Sequence, residues 1–178
     1  MLAAWPLLAW PAPPLATDAA PELSAEAVFR FKPAFGRALQ GRIPADQVDL
    51  HRLADGRWQA VATFASQRAE VAGHPAYTRL LRGQAFLDAA RHPTLRYVTE
   101  PFLPGSLRQA DALDGSLEMR GRRRAQALRL DRPGCDRPLQ ACPLRARAEL
   151  RRSDFGMDAW RHLVADRIEL ELHVEPLP

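Results

Sequence analysis

The side chains best suited to proton transfer or metal ligation are His51, His74, His92, His162 and His173, and their spacing supports neither role. A zinc hydrolase needs two histidines one helical turn apart with a glutamate beside the first, and no such pair occurs. Nor is there a GxSxG elbow, a P-loop or a dinucleotide-binding fingerprint. Ser153 and Asp154 are adjacent in sequence, but a nucleophile needs a base placed beside it in space. Asp154 is expected instead to accept backbone N–H bonds in an Asx turn. His74 and His92 each precede a proline, which suits a turn. No catalytic residue, metal or other cofactor is therefore expected, and the chain reads as a binding protein and not an enzyme.

Cys135 and Cys142 are the two cysteines, in the segment GCDRPLQAC. Gly134, Pro138 and Pro143 confine them to one tight loop. Without a nearby histidine pair they do not complete a tetrahedral zinc site. In an oxidising compartment a disulfide would close this loop, and two unpaired thiols are the other reading.

The chain has 178 residues and a formal net charge of +4. Lys32 is its single lysine, the other basic residues being arginine. The charges are spread over many polar positions, which does not make the footprint of a nucleic-acid partner. Arg120, Arg122, Arg123 and Arg124 form the densest cluster. It reads either as a solvated turn or as a surface that meets anionic membrane lipid transiently.

These residues are carried on short strands. Apolar and polar side chains alternate in Ala27–Lys32, Trp58–Phe64, Leu95–Thr99, Ser116–Arg120, Leu128–Leu130, Leu144–Leu150 and Arg167–Val174, with turn residues between. Long helical crossovers between these runs are missing, which disfavours a parallel sheet. The fold class expected is all-β: an antiparallel extended barrel with a short helical cap. The cap is placed at His74–Gly83, with Pro75 in its first turn, and is expected to continue through Gln84–Ala90 until His92-Pro93 stops it. Tyr77, Leu80, Leu81, Phe86 and Leu87 give it one apolar face.

Residues 1–20 read as a signal peptide or a disordered leader, and residues 21–178 as the barrel domain. Met1–Leu15 is apolar and is followed by small residues at Ala16, Ala19 and Ala20. It is too short to cross a bilayer as a helix. Export is the expectation, although no basic residue precedes the apolar run.

Three segments together resemble the YceI-like family. Leu80–Tyr97 (LLRGQAFLDAARHPTLRY) is similar to the family's "hLrs-adFfda-yPtitF" stretch. Leu113–Gly121 (LDGSLEMRG) is similar to its "G-L-T-I-x-G" strand. Arg152–Met157 (RSDFGM) resembles its "RSDFGI" element, followed by Asp166 before the closing strand. The likeness runs from Val28 to Val174. It implies a lipocalin-like barrel whose interior holds a long-chain isoprenoid, quinone or similar amphiphilic lipid, in a bacterial periplasmic protein.

Alternation turns Phe29, Phe31, Trp58, Ala60, Ala62, Phe64, Leu95, Tyr97, Leu117, Met119, Leu144, Ala146, Ala148 and Leu150 inward. Tyr77, Leu81 and Phe86 face them from the cap, and Phe155 plugs a barrel end. The alanines leave volume for a ligand, and an eight-stranded barrel has room for one. Arg79, Arg82 and Arg91 are candidates for a polar head group, or else lie on a solvated helix face. A barrel filled by its own aromatics, binding a partner through its arginine-rich surface, is the other reading. Exposed strand edges permit a homodimer without any residue demanding one.

Overall fold

The computed structural model describes residues 20–177. The leader, apart from Ala20, lies outside the described residues. Ten antiparallel strands form one sheet: β1 (Leu23–Phe31), β2 (Leu39–Arg52), β3 (Trp58–Ala65), β4 (Thr94–Thr99), β5 (Ala112–Leu113), β6 (Gly115–Met119), β7 (Arg122–Ala125), β8 (Leu128–Leu130), β9 (Leu144–Arg151) and β10 (Arg167–Pro176). Their order is β5-β8-β9-β10-β1-β2-β3-β4-β6-β7. The sheet curls because β5 and β6 are one run of chain broken at Asp114. Its first part pairs with β8, near one end of the order, and its second part with β4, near the other. The expected all-β barrel is therefore present, and each strand read from alternation matches an observed strand, with Lys32 and Arg120 one residue past the ends of β1 and β6.

Three strands escaped the sequence reading: β2, β7 and the two-residue β5. β2 is the longest in the sheet, at 14 residues. Its apolar phase is broken, because Gly41 and Ile43 are buried on odd positions whereas Leu50 is buried on an even one. A bulge between Ala45 and Gln47 shifts the register and flips the faces. β7 holds Arg122, Arg123 and Arg124 in a fully exposed edge strand, not in a turn. An exposed strand has no buried face to impose alternation.

The cap is shorter than its sequence suggests. α1 spans Pro75–Arg82, with Pro75 in the first turn, and stops at Gly83, which is extended. Residues 84–91 form turns folded back on the helix end, not helix. The N–H groups of Leu87, Asp88 and Ala89 donate to the carbonyls of Leu81, Gly83 and Arg82. This wrap satisfies carbonyls that a helix end leaves open, and it buries Phe86 and Leu87.

The interior is divided lengthwise. Trp58, Phe102, Leu107, Leu139 and Leu144 fill the end reached by the β2–β3 and β8–β9 connections. The Cys135–Cys142 disulfide closes the loop that carries Leu139 into this plug. A larger cluster occupies the other half, around Phe29, Phe64, Leu95, Tyr97 and Leu150. Between the halves, the hydroxyl end of Tyr97 crowds Gly115, where a Cβ would stand 2.5 Å from the phenol oxygen. Only glycine admits that approach.

Candidate functional site

The larger cluster is not filled. A cavity of about 360 Å³ opens at the end carrying the β1–β2, β3–β4, β6–β7 and β9–β10 connections. That volume falls within the usual range for small-molecule sites. β1 contributes Ala27, Phe29 and Phe31, β2 contributes Ile43, and β10 contributes Ile168, Leu170 and Leu172. Tyr77, Leu80, Leu81, Phe86 and Leu87 cover one side from the cap. The wall is almost wholly apolar, and the exceptions are few.

Tyr97 is one of them. Its hydroxyl lies 3.0 Å from the Gln126 carbonyl and 3.3 Å from that of Leu113, both hydrogen-bond acceptors. Burial pushes the phenol's pKa upward, and the carboxylates of Asp114 and Glu100 push it further in the same direction. Gln126 lies where the wall is thinnest. β8 bonds β9 only at Arg147 and Ala146, so the rest of β9 beyond them pairs with β10 alone. Outside that gap a polar recess of about 770 Å³ shares Gln126 and Leu170 with the cavity. Its other walls carry charges of both signs, including Arg30, Arg147, Glu149 and Glu171.

Arg152 is the third exception, and the sequence reading missed it. It opens the 3-10 turn Arg152–Phe155 and is only 1% exposed. No carboxylate among the described residues pairs with it. Nη1 donates to the carbonyls of Met157 and Ala159, Nη2 to Val164 at 3.0 Å, and Nε to Ala165 at 3.2 Å. The guanidinium also lies over the Phe86 ring, 5.8 Å from its centroid. Burial lowers its pKa, opposed by Asp166 and Asp158, and a guanidinium at neutral pH stays charged regardless. Four carbonyls thus stand in for water around a buried cation. The geometry fixes the loop 157–165, which forms one lip of the mouth.

Asp166 braces the same corner by accepting the Ser153 N–H at 2.9 Å and its hydroxyl at 2.8 Å. The Asx role expected of Asp154 therefore falls to Asp166, because the chain returns to this corner just before it enters β10. The β1–β2 loop is tied on as well: Ala34 N–H donates to Leu163, and Ala165 N–H to Lys32.

The model of the YceI-like domain matches residues 24–176. The chain belongs to that family. No curated protein matches its sequence. Solved structures share the fold at low identity. Burkholderia cenocepacia BcnA is 16% identical, with a TM-score of 0.60 over 84% of this chain and 94% of its own. A polyisoprenoid binding domain from Saccharophagus degradans, implicated in plant cell wall breakdown, is 12% identical, with a TM-score of 0.60 over 89% and 99%. The Campylobacter jejuni YceI protein is 11% identical, with a TM-score of 0.57 over 81% and 87%.

In this YceI-like domain Phe29, Phe31, Phe64, Tyr77, Leu81, Phe86, Leu95, Tyr97, Leu117, Met119 and Leu150 line the cavity, as their sequence positions suggest. Others face inward but lie elsewhere. Trp58 and Leu144 belong to the plug, with Ala60 packed against it. Ala62, Ala146 and Phe155 are covered by neighbours in the main cluster. Ala148 borders the outer recess. Alternation assigns a face, and it cannot say which part of that face the plug fills.

Arg79, Arg82 and Arg91 are also absent from the wall. Arg82 donates Nε to the Ala69 carbonyl at 2.7 Å, and the other two are exposed. The lip residues Phe35, Met157, Trp160, Leu163 and Val164 gave no periodic signal, since they sit in loops.

Proposed function

We propose that this YceI-like barrel binds and carries a long-chain apolar or amphiphilic molecule, an isoprenoid, quinone or related lipid, noncovalently and without turnover. One observation carries the reading: an open cavity of about 360 Å³ walled by hydrocarbon and aromatic side chains. Each 100 Å² of ligand hydrocarbon taken from water there contributes about 2.5 kcal/mol, so affinity needs no polar motif. The polyisoprenoid binding domain of similar fold is in keeping with this cargo. The disulfide accords with an oxidising compartment, and the periplasm is the location we assign.

A dansyl-labelled fatty acid tests the site. Its emission should rise saturably at one equivalent and be reversed by a prenyl alcohol competitor. A response that never saturates, or that the competitor leaves unchanged, refutes an interior site.

A further inference from the structure

The mouth has an unusual surface. Among the described residues six large hydrophobic side chains are exposed, and four of them line this one opening: Phe35 at 84% exposure, Trp160 at 50%, Leu163 at 42% and Tyr77 at 41%. They come from three separate connections, β1–β2, β3–β4 and β9–β10. Two of those connections are held edge to edge by the Ala34–Leu163 and Ala165–Lys32 hydrogen bonds and the Pro33–Val164 bridge. The β9–β10 connection is also braced from within by Arg152, whose guanidinium lies over Phe86 of the third connection. A rim built this firmly is no accident of loose loops, and its clustered apolar exposure marks a contact surface.

The charges around the rim select the partner. The β1–β2 connection carries Lys32 and Arg37 and no carboxylate, and the turn between β6 and β7 joins Arg120 to Arg122 with none. The β3–β4 connection adds exposed Arg79 and Arg91. Carboxylates at this end are mostly engaged. Glu70 pairs with Arg42 at 2.6 Å, Asp88 is buried, Asp158 accepts from Arg161 at 2.6 Å, and Asp166 accepts from Ser153. Lys32, Arg37, Arg79, Arg91 and Arg122 have no carboxylate within ion-pairing distance among the described residues. The opposite end has an acidic excess, its connections and N-terminal end carrying Glu22, Asp55, Glu100, Asp111, Asp114, Asp131 and Asp136 against Arg57, Arg108, Arg132 and Arg137.

We infer that the open end docks on an anionic lipid bilayer, with Phe35, Tyr77, Trp160 and Leu163 entering the interfacial layer and the unpaired cations meeting lipid phosphates. Aromatic rings favour that depth, and basic residues near an anionic leaflet add attraction. The inference rests on the carrier reading above, since docking sets the cavity mouth against the phase from which a lipid is taken or into which it is delivered.

Trp160 supplies its own probe. The chain has four tryptophans, and Trp58 is buried in the plug at the far end. In the full chain with Trp5→Phe and Trp10→Phe, brominated-lipid quenching should report Trp160. Quenching is expected on phosphatidylglycerol vesicles and should be weak on phosphatidylcholine. Arg37→Gln and Arg79→Gln should each weaken association with the anionic vesicles roughly fivefold.

Unquenched Trp160 on anionic vesicles, or equal quenching on neutral ones, overturns the inference. So does a concentration-dependent dimer that shifts Trp160 emission without vesicles, which assigns the rim to a second copy. The dansyl fatty acid is titrated separately in solution. Protein that takes that probe but leaves Trp160 unquenched fails the docking alone. Protein that is quenched but does not take the probe fails the carrier reading alone.

Discussion

Arg152 donates Nη2 to the Val164 carbonyl at 3.0 Å, and this bond is part of a set that ties the start of one 3-10 turn to the whole lip of the cavity. Arg152→Met keeps an apolar stem of similar length and leaves four carbonyls without their cation. The expected loss is about 3 kcal/mol, or a fall in Tm of roughly 10 °C for a domain of this size. Arg152→Lys should recover little, since one ammonium cannot span acceptors fanned over residues 157–165. Differential scanning calorimetry checks this. A Tm within a degree or two of wild type for Arg152→Met contradicts the bracing role.

Ala27 is the smallest side chain in the cavity wall. Ala27→Phe should occupy ligand space and weaken binding of the dansyl fatty acid roughly 50-fold while the barrel still folds. Ala146→Leu is the matched control. Its methyl is packed within the core and does not line the cavity. Overpacking there should cost about 1–3 kcal/mol of stability and leave probe affinity close to wild type. The opposite ranking of the two variants places the ligand elsewhere.

The disulfide holds the far plug, not the mouth. Reduction, or the pair Cys135→Ser and Cys142→Ser, should lower stability by about 2.5 kcal/mol in the chain-entropy description of a loop this short. Denaturant melts with and without reductant measure the loss. Probe affinity should not change, because Leu139 packs with Trp58 and Leu144 at the closed end. A drop in affinity on reduction requires coupling between the two ends.

Tyr97 gives a pH signature. Its folded pKa lies above the ordinary tyrosine value, mainly through burial. A raised pKa means that the fold favours the neutral phenol. The associated stability is present below pH ~10, where phenols are protonated in folded and unfolded chains alike, and declines as the pH rises above that. Urea unfolding across this range should show the decline in wild type and a shallower one in Tyr97→Phe. Identical slopes mean that another group controls it. Tyr97→Phe should also lose about 1 kcal/mol at neutral pH with its hydrogen bonds to the Leu113 and Gln126 carbonyls.

The sequence shows its strands wherever one face is buried along an unbroken register. β10 alternates cleanly because it is paired on both sides for much of its length, and β9 because it pairs with β10 along all of its length in one unbroken register. β2 hides because the bulge after Ala45 exchanges its faces midway, and Pro44 interrupts the pattern just before it. The cavity wall is legible in the same degree. Phe29, Leu95 and Leu117 follow from alternation and line the cavity, whereas Trp58 and Leu144 follow from the same rule and do not. What separates them is depth along the barrel, which depends on the residues that form the plug. Arg152 could be seen only as part of the RSDFG element, since nothing local distinguishes a cation that ends buried from its exposed neighbour Arg151. Trp160 and Phe35 carry no periodicity, and the backbone bonds that bring their loops together join residues far apart in sequence.

The most direct test of a lipid carrier is native mass spectrometry of the protein purified gently from its own compartment, with organic extraction of whatever is bound. The account predicts a stoichiometric adduct that extracts as an isoprenoid, quinone or acyl lipid. Bare protein that also takes up none of these from an added panel contradicts it.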